Sequence, residues 1–222
     1  MFLEKIYYFF RDLSSRPEER GERSAGFLQD KIRRAALAIC AQSSGRLLEV
    51  GCGEGLFLAQ LAKLNPRVEI WGVDNWPEIL ARARERFGKD RVTQIKLVEA
   101  KAGHLPFEDA YFDVVVFINV LICIGSWEDV KAAFKEISRV ARPGAKLILE
   151  FRNSRNALLK LKYKLAKFYD ATTKGHPLST YDQKDMIEIL MGNGFDIQRI
   201  QYLGFFIEKL APVIIIEAQK HV

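Results

Sequence analysis

The chain has 222 residues, of which 49% are hydrophobic and 28% charged, and its formal net charge is +6. That balance excludes a disordered or collagen-like chain, and the length suits one domain with a full core and room for an insertion. No apolar run reaches the ~20 residues of a membrane-spanning helix. Cys40, Cys52 and Cys123 are odd in number and far apart, so they read as free thiols of a reducing compartment, most simply the cytoplasm.

Residues 2–13 place Phe2, Ile6, Phe9, Phe10 and Leu13 at helical spacing, and MFLEKIYYFF lacks the order and cleavage site of a secretory leader. A polar break, SSRPEERGERS, precedes a second helix running to about Cys40. RLLEV (46–50) then predicts a strand ending in a glycine turn, with a helix over 55–64. The alternation continues: strand 68–73, helix 77–87, strands 93–98 and 113–118, helix 129–140 and strand 145–151, with Arg142-Pro143-Gly144 stopping the last helix. Such alternation predicts an α/β fold, a parallel sheet covered on both faces. Beyond Phe151 the rhythm breaks. A basic helix is expected over 154–169, then a loop over 173–181 and a helix from Asp182, its N-cap, to Met191. FDIQRIQYL (195–203) and PVIIIEAQK (212–220) close the chain as an antiparallel pair.

The chemistry gathers after the first strand, in Leu47-Leu48-Glu49-Val50-Gly51-Cys52-Gly53-Glu54-Gly55. Glycines there permit a sharp turn and let a ligand approach the backbone. Asp74, about 20 residues on at the end of the second strand, suits two ribose hydroxyls, although an Asp there also serves as a helix cap. A dinucleotide-binding turn needs a third glycine where this chain has Leu56, and it binds a pyrophosphate. Glu49 and Glu54 flank that place and would repel an anion, whereas a cationic sulfonium with an α-ammonium group would be welcome.

EVGCGEG, GVD, LPFEDAYFDVVVF and the helix leading to RPGAKLIL resemble the successive motifs of class I S-adenosylmethionine-dependent methyltransferases, over about residues 45–151. YDQKDMIEILMGNGF resembles the helix and Gly-Phe turn of the small-molecule subgroup called type 11. The resemblance implies a Rossmann-like, doubly wound, seven-stranded sheet, mostly parallel, of order 3-2-1-4-5-7-6 with strand 7 antiparallel and helical lid segments. It implies one methyltransferase domain over 1–222, divided into an N-terminal helical cap (1–44), a cofactor-binding core (45–151), a lid insertion (152–181) and a C-terminal helix with its strand pair (182–222). The implied cofactor is S-adenosyl-L-methionine. Glu49, Gly51 and Gly53, with Cys52 in the same turn, would take its methionine end, and Asp74 its ribose. Asn75 and Trp76 would lie towards the adenine, where Trp76 either stacks on the base or packs between helix and sheet. Asn119 would line the cleft towards the acceptor. Where the family pattern Asp-Ala-x-x-Leu-Pro-Phe supplies an acceptor for the adenine amino group, this chain has Lys101, which has none to offer. The adenine side then falls to the backbone of Ala102 and Gly103 or to Glu99, or adenine recognition is weakened.

Methyl transfer from a sulfonium is an in-line displacement in which positioning alone can contribute ~7–11 kcal/mol, so a base is optional. His176 and Tyr181 are the candidate bases; His104 sits on the adenine side. No metal site is expected, because the three His residues are far apart and no Cys pair has ligand spacing. Arg152, Arg155, Lys160, Lys162, Lys164 and Lys167 precede the next acid, Asp170, and read either as a solvated helix face or as a patch for an anionic or membrane-associated acceptor. The expected function is methyl transfer to a small-molecule, lipid-like or saccharide acceptor. The alternatives are a methyltransferase fold that binds without turnover, suggested by Lys101, and a nucleic-acid methyltransferase, suggested by the basic stretch. Against the latter, and against any stable nucleic-acid partner, the fourth strand ends Phe117-Ile118-Asn119-Val120-Leu121 and not in the Pro-Pro element used for extruded bases.

Overall fold

The computed structural model describes residues 2–13, 26–89, 92, 94–166, 168–170, 177–204 and 208–222. Helices α1 (Phe2–Leu13) and α2 (Phe27–Cys40) lead into β1 (Arg46–Val50), α3 (Leu56–Leu64), β2 (Glu69–Asp74), α4 (Pro77–Lys89) and β3 (Ile95–Glu99). Then follow β4 (Phe112–Phe117), a short 3-10 turn (Leu121–Cys123), α5 (Trp127–Val140), β5 (Ala141–Arg152), α6 (Ala157–Ala166), α7 (Gln183–Gly192), β6 (Phe195–Leu203) and β7 (Val213–Lys220). The strands form one sheet in the order β3-β2-β1-β4-β5-β7-β6. All neighbours from β3 to β5 run parallel, and β7 is antiparallel to both β5 and β6. This is the order and polarity expected from the sequence.

Both sheet faces are covered, so successive strand residues are buried on alternate sides. Leu48 and Val50 of β1 join the core beneath α5 and α7, while Leu47 joins the core beneath α2, α3 and α4. Beginnings of helices follow local chemistry. Ser126 accepts from the Asp129 N–H to start α5, Asp182 accepts from Lys184 N–H to start α7, and Asn156 accepts from Leu159 N–H at 2.6 Å to start α6. That last cap sets α6 at Ala157, later than the expected 154.

The fifth strand is also longer than 145–151. The ladder passes from Phe112 opposite Ala141 directly to Val114 opposite Lys146, so Arg142-Pro143-Gly144 is taken up in a bulge. A bulge tolerates a proline because its residues leave the ladder unpaired, and Arg142 pays its way by pairing with Asp113 at 2.8 Å. Parallel strands bring the C-terminal ends of β1, β2, β4 and β5 to one edge. The chain order reverses between β1 and β4, which opens the crevice where α/β sheets bind ligands.

Candidate active site

At the end of β1 the backbone turns sharply. The N–H groups of Gly51 and Cys52 both donate to the Val73 carbonyl, at 2.7 and 2.9 Å, which ties the turn to β2. Gly51 has φ +75°, and a Cβ there would lie 2.2 Å from Val120 Cγ2, so no other residue fits between turn and β4. Gly53 differs: with φ +52°, its added Cβ would meet only Ile79, at 3.9 Å. That side of the turn is open space. Cys52, by contrast, aims its side chain into the core beneath α3 and α4, so it offers the crevice backbone alone.

Glu49 is 4% exposed, and its Oε2 takes no hydrogen bond from any described residue. Burial holds this carboxyl well above the usual carboxylate range; the charge of Arg33 works against that rise and Asp74 adds to it. A buried carboxylate oxygen without a donor is costly, and a cationic ligand would supply what is missing. Asp74 stands at the matching end of β2. One of its oxygens accepts from the Gly53 N–H at 2.9 Å and the other from the Trp76 N–H at 3.0 Å. It therefore both braces the glycine turn and shapes the entry to α4, while each oxygen keeps a lone pair for a further donor such as a hydroxyl. The two acidic groups, the open face of Gly53 and the short turn fit S-adenosylmethionine, with a cation towards Glu49 and a ribose towards Asp74.

Glu54 does not belong to this acidic cradle, contrary to the expectation. It is buried against α4, where Arg82 pairs with it at 2.8 Å and Arg86 donates to its carbonyl. Its charge is already answered, so Glu49 alone carries the electrostatic argument.

Of the residues expected towards the adenine, Asn75 is exposed and Trp76 half-buried. Lys101 to His104 form a turn closed by the His104 N–H on the Lys101 carbonyl at 2.9 Å, with the Lys101 side chain exposed. Gly103 lies against α5, where a Cβ would come within 3.2 Å of Ala132, and Ala102 packs on the core. Glu136 and Arg139 of α5 hold the next residues: Glu136 accepts from the Leu105 N–H, and Arg139 donates to the carbonyls of Leu105 and Phe107. Sequence reasoning did not find that clamp, whose members are about 30 residues apart.

It also missed the side chains that hold Asn119, the residue expected to line the cleft. Asn119 follows β4 with φ +59°, a left-handed conformation that Asn tolerates better than most residues. Its N–H donates to Glu150 Oε2 at 2.8 Å, and its side-chain carbonyl accepts from Arg152 Nη2 at 3.0 Å. Arg152 Nη1 pairs with Glu150 Oε1, and Arg152 Nε donates to the Tyr163 hydroxyl of α6 at 3.1 Å. Arg152 is only 2% exposed. Burial pulls its guanidinium down, but Glu150 and Tyr163 together hold it above its ordinary value, so it stays charged. This network links Asn119 to α6. A signal existed in Glu150-x-Arg152, since residues two apart on a strand share a face.

The basic stretch accordingly shrinks. Arg152 is spent on Glu150, and Arg155 pairs with Asp182 at 3.0 Å. Lys160, Lys162 and Lys164 are exposed, and Lys167 lies outside the described residues. Of the candidate bases, His176 also lies outside them. Tyr181 is buried, with its hydroxyl within 3.0 Å of the Leu121 carbonyl and 2.9 Å of the Ile124 carbonyl, and its ring packs edge-on against Trp127. Burial raises its phenol above the ordinary value. The structure thus gives Tyr181 the place of an anchor for the loop after β4, with its proton already donated.

A Rossmann-like α/β protein with an acidic, glycine-lined nucleoside crevice is the class that this geometry defines. Comparison with known proteins narrows it. A family model for a methyltransferase domain matches residues 48–149. The chain is 32% identical over 150 residues to a phosphatidylethanolamine N-methyltransferase of Cereibacter sphaeroides, covering 65% of this chain and 70% of that one. It is 35% identical over 117 residues to a demethylmenaquinone methyltransferase of Deinococcus radiodurans, covering 53% of this chain and 47% of that one. The chain thus spans about half the length of the demethylmenaquinone methyltransferases it matches. Its fold is similar to that of magnesium protoporphyrin IX methyltransferase from Synechocystis, with a TM-score of 0.69 at 20% identity over 97% of this chain and 94% of that one. The chain belongs to the class I S-adenosylmethionine-dependent methyltransferases, whose cofactor is S-adenosyl-L-methionine.

Proposed function

We propose that this protein methylates a small, lipid-like acceptor. The observation that carries the cofactor half of this reading is the buried Glu49 carboxylate, whose Oε2 faces no described donor, beside a glycine turn braced by Asp74. When bound, S-adenosylmethionine supplies an electrophilic methyl carbon on a sulfonium. Glu49 neutralises the positive end of such a ligand, Asp74 fixes its ribose, and Gly53 admits it to the backbone. Asn119, held by Glu150 and Arg152, forms the wall towards the acceptor, and α6 roofs the cleft and keeps water out. The work of the protein is alignment, with no base required of it. Support for a lipid-like acceptor comes from the relatives, named for phosphatidylethanolamine and for demethylmenaquinone.

Titration calorimetry with S-adenosylmethionine, S-adenosylhomocysteine and NAD tests the first half; heat with NAD alone overturns it. Incubation with methyl-labelled cofactor and fractionated lipid extract tests the second. Label in the organic phase is expected, and label confined to protein or nucleic acid overturns the acceptor class. Turnover in that assay also separates this reading from a fold that binds without reacting, the reading Lys101 favours.

A further inference from the structure

Helix α6 has apolar side chains on two sides. Leu159 and Ala166 are buried, and Tyr163 between them reaches Arg152, so this side faces the sheet. Leu158, Leu161 and Leu165 recur at intervals of three and four and form a stripe on the opposite side, 44–66% exposed. At 100° per residue, Lys160 and Lys164 border one edge of that stripe and Lys162 the other, all three exposed. From Asn153 to Tyr169 the sequence contains no acidic residue. An outward leucine stripe between lysines is the reverse of a solvated helix face.

Helix α1 repeats the pattern next to it. Tyr7 packs on the Tyr169 ring at 4.9 Å and the Tyr8 hydroxyl donates to Asp170 at 3.1 Å, which fixes the inner side of α1 to the segment following α6. Ile6, Phe9 and Phe10 then point away, 38–64% exposed, with Lys5 exposed beside them. Two adjoining helices turn aromatic and aliphatic side chains outwards, which monomeric soluble surfaces seldom do.

We propose that the outer faces of α6 and α1 form a docking surface for an anionic lipid membrane. The apolar stripe enters the acyl boundary, and the lysine stems lie along it with their ammonium groups among the lipid phosphates. Charge selects this occupant: the residues flanking the leucine stripe of α6 are all basic, and a bilayer surface offers anions along its whole length. Among the described residues no helix is long and apolar enough to cross a membrane, so the contact is peripheral. The leucine stripe faces away from the cleft, so the inference goes beyond the acceptor reading and stands without it.

The test is flotation of the full chain with vesicles of phosphatidylcholine alone and of phosphatidylcholine mixed with phosphatidylglycerol. Binding is expected to the mixed vesicles and to fall with added salt. Neutralising Lys160 or Lys164 to Gln should lower partitioning about fivefold each. The triple variant Leu158→Ser, Leu161→Ser, Leu165→Ser should lose it while keeping the wild-type unfolding midpoint and cofactor titration, because these side chains are exposed. Absence of wild-type binding to anionic vesicles overturns the proposal, as does binding that survives the triple substitution. Equal binding to neutral vesicles overturns its charge component. A concentration-dependent dimer that the leucine substitutions abolish, without vesicle binding by the wild type, assigns the face to a second copy instead.

Discussion

Replacing Arg152 with Met tests the buried network around Asn119 most directly. Methionine preserves much of the side-chain volume, so the packing loss is small and the electrostatic loss dominates. The substitution leaves the Glu150 carboxylate without its ion partner, Asn119 Oδ1 without its 3.0 Å donor and the Tyr163 hydroxyl without its 3.1 Å donor. Removing one member of a buried pair costs ~3–5 kcal/mol, most of it the penalty of the stranded charge. For a chain of this length that corresponds to a drop of about 10 °C in melting temperature. The same reasoning demands that Glu150→Gln rescue it. A glutamine can still accept from the Asn119 N–H, bonded at 2.8 Å in the wild type, and brings no charge, so the double variant should be more stable than Arg152→Met while still lacking the Arg152 bonds to Asn119 Oδ1 and Tyr163. Urea unfolding of wild type, both single variants and the double variant gives the coupling, provided the slope with denaturant is common to all four. Limited proteolysis adds a local readout: freeing Tyr163 should expose the chain around α6 to cleavage in Arg152→Met and in the double variant alike, and not in wild type. A single variant that loses less than about 1 kcal/mol, or a double variant no more stable than Arg152→Met, refutes the network as a charge-paired unit.

Four other outcomes follow from the geometry. Glu49→Gln should weaken S-adenosylmethionine by ~1.5–3 kcal/mol in calorimetry. Since Glu49 is raised above its unfolded value, its contribution to ligand-free stability is present in acid and lost as pH rises through the folded value, so the variant should also flatten that decline in a series of melts. Asp74→Ala should cost a similar ~1.5–3 kcal/mol of cofactor affinity, because it removes the proposed ribose ligand and the brace on Gly53; unaltered affinity would leave Asp74 as a turn-former only. Glu136, held at about 2 by its bond from Arg139 against the cost of burial and with help from the Leu105 N–H, lies below its unfolded value. Its contribution is full above ~4.3 and lost as pH falls towards 2, about 1–2 kcal/mol after solvent screening, and Glu136→Gln should flatten that acid limb of a pH series of unfolding midpoints. Finally, a maleimide on the native protein should label Cys123, an exposed residue although partial burial of its thiol raises it, ahead of Cys40 and Cys52, which are buried, with Cys40 pushed up to about 12; mass spectrometry of the peptides reads this directly.

The sequence by itself determined the strands and helices, the sheet order through the resemblance, and the acidic glycine turn with its partner Asp74. These are legible because the causes lie within a few residues of one another. β1 and β6 span the residues expected of them, α7 starts at the Asp182 that caps it, and Glu49, Gly51 and Gly53 follow one another at a single strand end and turn. Even the exceptions were local in origin: Asn156 starts α6 late, and the bulge at Pro143 lengthens β5.

What only the tertiary structure decided is which charge meets which. Arg152, Arg155 and Glu54 read from sequence as surface or site charges, yet Glu150, Asp182 and Arg82 neutralise them. Tyr181 read as a candidate base, and its hydroxyl is committed to two carbonyls about 60 residues away. The fold divides the leucines of α6 into a buried side and an exposed one. Helix and strand formation depend on neighbours along the chain, whereas ion pairing and burial depend on distances of a few ångströms between segments that only packing brings together. Periodicity carries the first kind of information and has no access to the second.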